Sequence, residues 1–587
     1  MRPAGQGLVA FVAYFGIAFG VYALPVVTRF SSAFVATGRN DPKIFLWSLA
    51  WWPKAIVEGQ NPLVTDLLWA PAGVDLSWVT TIPGPSILMW PITEAFGPLV
   101  SLNLLHLLAP PLAAWAAFLV CRQATGAFWP SLAGGYFFGF STFLLNHQAG
   151  HPNLVLVFPV ALAVYLVVRY SRGTLGPLTF LFSLTAVLVG LFSIFTELFA
   201  TLAVFGGLAL LGTFVLGPAH LRGPLLRAAS LIAAAYGLAT LLVVPFLIHA
   251  LGNLPSEPIR SLQKASIDLL GFALPGYTTL IGGNEFRPIT DAFTAPPAGN
   301  GAYLSLALIF LLIHFAMTRW RARSTWLLLS FVVLTAVAAL GPVLHVRGRE
   351  SIPLPWALVE PIPLIHNALP DRFTMYMWLG VAVIVAVWLA AGQRSWFRWG
   401  VVVLGASLIF PDLSELPYHQ EAPVPAFFED GAYRRYIEPN EVVLIIPYGR
   451  GKGLSIDMMW QAETEMYFRL PSGNVGFVPK QYRGRAVRCL RRDLPQFLGV
   501  GELMGFLEQH RIGTVVMADE YGARYGPLLS KLGVPPVEVG GVSVYSLPRE
   551  DVAKDTSDFG VPEGGGEPTL RGGQPIPGSW GGKYTHC

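Results

Sequence analysis

Of 587 residues, 53% are hydrophobic and only 13% are charged, about half the charged share of a soluble domain, which excludes a wholly water-soluble protein. The net charge of +4 comes without a basic tract interleaved with aromatics, so nucleic-acid binding is set aside. Three cysteines, Cys121, Cys489 and Cys587, are too few and too scattered for a disulfide scaffold or a CxxC metal knuckle.

The charges divide the chain. Residues 1–412 hold 35 of them and residues 413–587 hold 39. The first part cannot cover a polar surface, and a boundary near Asp412 follows. The expected class is an α-helical polytopic membrane protein with a C-terminal extracytoplasmic α/β domain. The expected divisions are a membrane domain over 1–412, a soluble domain over 413–550 and a disordered tail over 551–587.

In chain order, the apolar run from Gly7 to Val27 has no small-x-small cleavage site before Arg29 and reads as a retained first span. Further spans are expected near 99–121, 128–146, 153–170, 178–195, 197–216 and 226–250. Four more lie near 302–318, 325–346, 373–392 and 397–411, giving about eleven. The stretch 81–97 is interrupted by Pro83, Pro85, Pro91 and Glu94 and is read as half-inserted or interfacial.

With the N-terminus in the cytoplasm, the inside turns carry Arg2, Arg122, Arg169, Arg172, Arg222, Arg227, Arg319, Arg321, Arg323, Arg394 and Arg398. That Arg bias follows the positive-inside rule, which counts Lys and Arg, and the absence of acidic residues from these turns is additional support. The long loops 28–98, 251–301 and 347–372 then share the outer face with the C-terminal domain. Any chemistry belongs there.

In the first outer loop, Asp41 sits between Arg39 and Lys43. At a membrane surface, such a carboxylate suits a base acting on a hydroxyl; it equally suits a cap on the helix that follows. Phe45, Trp47 and Trp51 at helical spacing predict an amphipathic helix lying in the interface. His147 and His151 are four apart, but Gly150 and Pro152 make the segment a turn. Hydrogen bonding at the interface and sugar or phosphate contact both remain open. Glu197 lies in a continuous apolar stretch, where an ionisable group faces a cavity or a partner. Arg260 and Lys264 share a face if their segment is helical, and suit a lipid phosphate. Arg372 opens the span near 373–392 beside Asp371. No glycine-rich nucleotide loop has a strand before it and a helix after it.

After Asp412 the pattern predicts strands over 441–447 and 513–518, a hairpin over 537–547 turning at Gly540-Gly541, and helices over 426–437 and 499–510. Lys480, Arg483, Arg485, Arg488, Arg491 and Arg492 form a basic cluster, read first as a solvated face.

The layout of one span, a large outer loop with an early Asp, many spans and an outer C-terminal domain resembles the GT-C glycosyltransferases. The words Gly38-Arg39-Asn40-Asp41-Pro42 and Glu58-Gly59-Gln60-Asn61-Pro62 carry the match, which covers roughly residues 1–412. The resemblance implies an inverting sugar transfer from a polyprenyl-phosphate-linked donor to a glycan, lipid or protein acceptor. Asp41 would be catalytic, with Glu197 the second catalytic candidate. Arg39, Lys43, His147, His151, Arg260, Lys264 and Arg372 would contact substrate. Ser266–Gly276 resembles an outer-loop helix of such proteins, and Pro370-Asp371-Arg372-Phe373 a recurrent phosphate-side motif. Many members have adjacent acids where this chain has Asn40 before Asp41. A divalent cation, magnesium or manganese, is allowed for, although no metal-ligand set is evident. The expected place is a bacterial inner membrane. Alternatives are a non-enzymatic flippase or transporter of lipid-linked glycans, or a scaffold.

Overall fold

The structure, a computed structural model, describes residues 3–35, 42–253, 262–295, 301–358, 360, 367–392, 395–414, 420–449 and 456–548. Helix α1 spans Pro3–Ala18, and helical turns continue to Arg29. The first loop contributes α2 (Pro42–Val57) and α3 (Pro83–Phe96), followed by α4 (Pro98–Thr125). A proline opens α4, where no intrahelical N–H is required, and Gly126 at φ 67° closes it. Next come α5 (Phe128–Gly139), α6 (Thr142–Gln148), α7 (Pro152–Val155) and α8 (Phe158–Ser171). Then follow α9 (Pro177–Ile194), α10 (Thr196–Leu216), α11 (Arg222–Leu242) and α12 (Val244–Gly252). Later apolar helices span Ser305–Arg319, Arg323–Ala339, Thr374–Ala390 and Trp396–Leu408.

Among the described residues, seven helical segments are long and apolar enough to cross a membrane. Three more apolar helices are shorter; 15 residues rise only about 22 Å against roughly 30 Å of hydrocarbon. The stretch read as one span over 128–146 is broken at Phe140–Ser141 into α5 and α6. Length and composition alone thus give seven crossings, fewer than the eleven expected.

The most buried of these segments are α4 and Pro370–Ala390, and glycines on α5 let it lie against both. A Cβ on Gly134 would stand 2.7 Å from the Ala382 carbonyl oxygen, and one on Gly135 2.5 Å from that of Ala114. Small residues permit this backbone approach, the usual source of tight packing between apolar helices in lipid.

The C-terminal part forms a four-stranded sheet. Val442–Ile446 pairs in parallel with Ile512–Ala518, which pairs antiparallel with Val542–Ser546; Val537–Val539 forms the edge. The hairpin turns at Gly540 and Gly541, both at positive φ. Helix Val500–Gln509 matches its expected place, whereas 426–437 holds only the short turns Ala426–Glu429 and Ala432–Arg435.

This part is joined closely to the first loop. Ala33–Phe34 pairs with Gln420–Glu421, and Arg29 forms an ion pair with Glu421 at 2.7 Å. The Trp47 indole donates to Gln461 Oε1 at 2.7 Å, while Gln461 Nε2 donates to the carbonyls of Leu67 and Phe468. One hydrophobic cluster contains Trp47, Trp51 and Trp69 of the loop together with Trp460, Phe468 and Leu470. The helix with Phe45, Trp47 and Trp51 therefore exists as α2, but these side chains are buried under the C-terminal segment. They do not rest in a lipid interface, because burial in protein and in headgroups asks for the same apolar spacing. Residues 266–276 likewise hold no regular outer helix. They contain one 3₁₀ turn, Leu269–Phe272, capped by Asp268, whose carboxylate also accepts from the Gly348 amide. The tail 551–587 lies outside the described residues.

Candidate active site

Two polar clusters stand out at the end of the bundle away from Arg122, Arg169 and Arg172. The first is built at the sharp turn between α9 and α10. Phe195 is extended between the two helices, which sets Glu197 in the first turn of α10. A carboxylate there meets the positive end of the helix dipole. Opposite it, Pro370–Phe373 forms a 3₁₀ turn leading into the 374–390 helix. Arg372 Nη1 donates to Glu197 Oε2, and the Leu369 amide donates to Glu197 Oε1 at 3.3 Å. Both charged side chains are only 12% exposed.

The surroundings fix this ion pair. The Arg372 guanidinium stands 4.9 Å over the Phe195 ring. One turn along each helix, the hydroxyls of Thr201 and Tyr376 are 2.8 Å apart. Leu262 and Ala265 pack with Leu369 and Trp356. That packing brings the exposed Lys264, on the turn Gln263–Ala265, beside the segment that carries Arg372. Arg260 lies outside the described residues.

The second cluster lies where α4 meets α6, α7 and the start of the first loop. Asn103 accepts from the Val35 amide at 2.8 Å and donates to the carbonyls of Phe30 and Ala33, each at 2.8 Å. It holds the strand that runs toward Asp41. On the far side of Asp41, Lys43 is buried with its Nζ 4.6 Å from the centre of the Phe34 ring. Lys43 is therefore packed inside, not displayed on a loop surface. Arg39 and Asp41 themselves lie outside the described residues.

His147 is buried, its Nδ1 2.8 Å from the Phe143 carbonyl, and its ring stands 5.8 Å from that of His151. Gln148 Nε2 donates to the carbonyl of His106, which is itself buried on α4. Sequence reading missed Asn103 and His106. Their signal was present as two polar residues inside an otherwise apolar span, where such groups need a partner. Among the described residues, no group of three or more His, Cys, Asp or Glu could hold a metal ion. The transfer proposed for this chain is therefore written without a metal-dependent step.

Outside the bundle, two acids have environments that disfavour their charge. Asp457 is buried, and desolvation raises its pKa against the opposing bonds from the Ser472 hydroxyl and the Met458 and Gly449 amides. Glu463 is pushed up to about 7, by burial first and by the like charge of Glu429 second. Both lie on helix Ile456–Glu463, which carries Gln461 into the first loop.

Over residues 8–411 the sequence matches the model of a family described as a domain of unknown function, DUF6311. No curated protein matches it in sequence. Among solved structures, the fold is similar to the arabinofuranosyltransferase AftD from Mycobacteria, at 13% identity and a TM-score of 0.56. The match covers 93% of this chain and 40% of that one. A mutant form of the same enzyme gives a TM-score of 0.61 at 12% identity, over 94% and 42% of the two chains. The oligosaccharyltransferase of Archaeoglobus fulgidus matches at 12% identity and a TM-score of 0.50, covering 94% of this chain and 75% of that one. These neighbours are GT-C glycosyltransferases. At such identities the likeness is one of fold, and the chain spans about two fifths of the arabinofuranosyltransferase.

Proposed function

We propose, from the premise that this chain belongs to the DUF6311 family and has the fold of GT-C glycosyltransferases, that it is a membrane glycosyltransferase. It moves a sugar from a polyprenyl-phosphate-linked donor to a glycan, lipid or protein acceptor on the extracytoplasmic side. The observation that carries the reading is the extent of the fold likeness. It takes in 93% of the chain, so membrane helices, first loop and C-terminal sheet are matched together.

In this reading Asp41 takes the proton of the acceptor hydroxyl as its oxygen attacks the anomeric carbon. The bond from that carbon to the donor phosphate breaks with inversion, and the electron pair leaves with the lipid phosphate. Arg372, Lys264 and Arg260 stabilise the departing charge. Arg39, Lys43, His147 and His151 belong to the surrounding shell. Glu197, whose carboxylate accepts from Arg372 and the Leu369 amide, acts in this reading by positioning the arginine. The topology has eleven crossings, counting the three shorter helices and the broken α5–α6 pair as spans. The N-terminus is cytoplasmic, in a bacterial inner membrane.

The test uses membranes containing the full chain, radiolabelled polyprenyl-phosphate sugars and a cell-envelope acceptor extract. Asp41→Asn is expected to lower transfer by about 10²–10⁴-fold while leaving thermal stability unchanged. Transfer at the wild-type rate by Asp41→Asn would refute the assignment of the base.

A further inference from the structure

At the opposite end of the bundle from Glu197, α1 and α8 both pack on α4, and a groove of about 720 Å³ runs between them. Leu8 and Phe11 of α1, Leu112 and Leu119 of α4, and Leu162 and Tyr165 of α8 line it. Its walls are apolar, but one end is closed by Arg122 and Gln123. Arg122 Nε donates to Gln6 at 3.0 Å, and Arg172 Nη1 donates to both the carbonyl and the side-chain oxygen of Gln123. Arg169, close by on α8, donates to the Thr174 carbonyl.

These partners are all neutral. Among the described residues no carboxylate pairs with Arg122, Arg169 or Arg172, and the sequence allows none nearby. Residues 1–40 and 95–196, which include all of α1, α4 and α8, contain no Asp or Glu. Arg122 thus closes an apolar groove, with Arg172 joined to the same end through Gln123, and neither has a counter-charge from α1, α4 or α8.

The dimensions narrow the occupant. Leu112 and Arg122 are ten positions apart on α4, about 15 Å along a helix. That is half of a roughly 30 Å hydrocarbon layer, the depth of one leaflet. From this geometry we infer a site for an anionic glycerophospholipid of the arginine-side leaflet. One acyl chain lies in the groove, and the phosphate rests on Arg122 and Arg172. Arg binds phosphate through paired N–H groups, and anionic lipid is enriched in the cytoplasmic leaflet, where the proposed orientation puts these arginines. By filling the space between α1 and α8, the lipid braces the helix that leads into the first loop.

The experiment compares thermal unfolding of the detergent-purified full chain with added phosphatidylglycerol, phosphatidylcholine of identical acyl chains, or undecaprenyl phosphate. Phosphatidylglycerol is expected to raise Tm by about 5 °C more than phosphatidylcholine. The Arg122→Gln/Arg172→Gln double variant should lose that difference. Leu8→Trp, at a side chain that is 65% exposed, fills the groove without disturbing the core and should lose it too. Equal shifts from the first two lipids, or a phosphatidylglycerol shift retained in both variants, would overturn the site. A larger shift from undecaprenyl phosphate than from phosphatidylglycerol would overturn the choice of lipid.

Discussion

Replacing Glu197 by glutamine tests whether the ion pair with Arg372 is a positioning device. The substitution keeps shape and removes charge, leaving a guanidinium that is only 12% exposed without its carboxylate. Removing one partner of a buried pair costs about 3–5 kcal/mol. Two features lower that here. The Phe195 ring under Arg372 keeps about 1 kcal/mol of cation–π attraction, and the oxygen of the introduced amide still accepts from the Leu369 N–H. The expected loss for Glu197→Gln is therefore about 2–3 kcal/mol. Arg372→Met should cost a similar amount, because it strands the carboxylate. The double variant should cost little more than either single one, giving a coupling of about 2 kcal/mol. Denaturant unfolding in detergent, followed through tryptophan fluorescence, reads all three. Additive losses, with a coupling below about 0.5 kcal/mol, would show that the pair does not act as a unit. Glu197→Gln with unchanged stability and abolished transfer would refute the positioning role and restore Glu197 as a catalytic group.

Asn103→Ala removes three hydrogen bonds to the backbone of residues 30–35. It should cost about 2–3 kcal/mol and speed amide exchange at Val35, which hydrogen exchange with mass spectrometry would follow. Glu463→Gln should change the pH dependence. Its pKa is raised to about 7 in the folded chain from an ordinary 4.5, so the folded state holds the proton more firmly. Its favourable contribution is complete below about pH 4.5 and is lost as pH rises through 7. The variant should flatten that decline and be about 2 kcal/mol more stable than wild type at pH 8, after discounting for partial exposure. Parallel pH profiles for the two proteins would contradict this.

Hydropathy made the membrane part legible, short apolar β runs made the strands at 442–446 and 512–518 legible, and alternation marked the hairpin turning at Gly540-Gly541. Glu197 and Arg372 were each singled out as ionisable groups at span ends. Their pairing was not, because it joins positions 175 residues apart, and no local pattern records such a distance. The aromatic face of α2 shows the complementary limit. Its spacing specified a helix but could not say whether lipid or the C-terminal segment covers it. The break between α5 and α6 was hidden for a related reason. Ser141 caps α6 through its hydroxyl, yet hydropathy averages across a single small polar residue.

The joint between the first loop and the C-terminal segment also has a consequence for biosynthesis. Trp47 and its partner Gln461 are 414 residues apart, so the ribosome finishes the first loop long before it makes the segment that covers it. At about 5–20 residues per second the delay is roughly 20–80 s. During that interval the Trp47 indole lacks its Gln461 acceptor, and the side of α2 that meets the 456–463 helix is uncovered. A chain ending before the 456–463 helix would leave that side of α2 without the cover it has in the full protein.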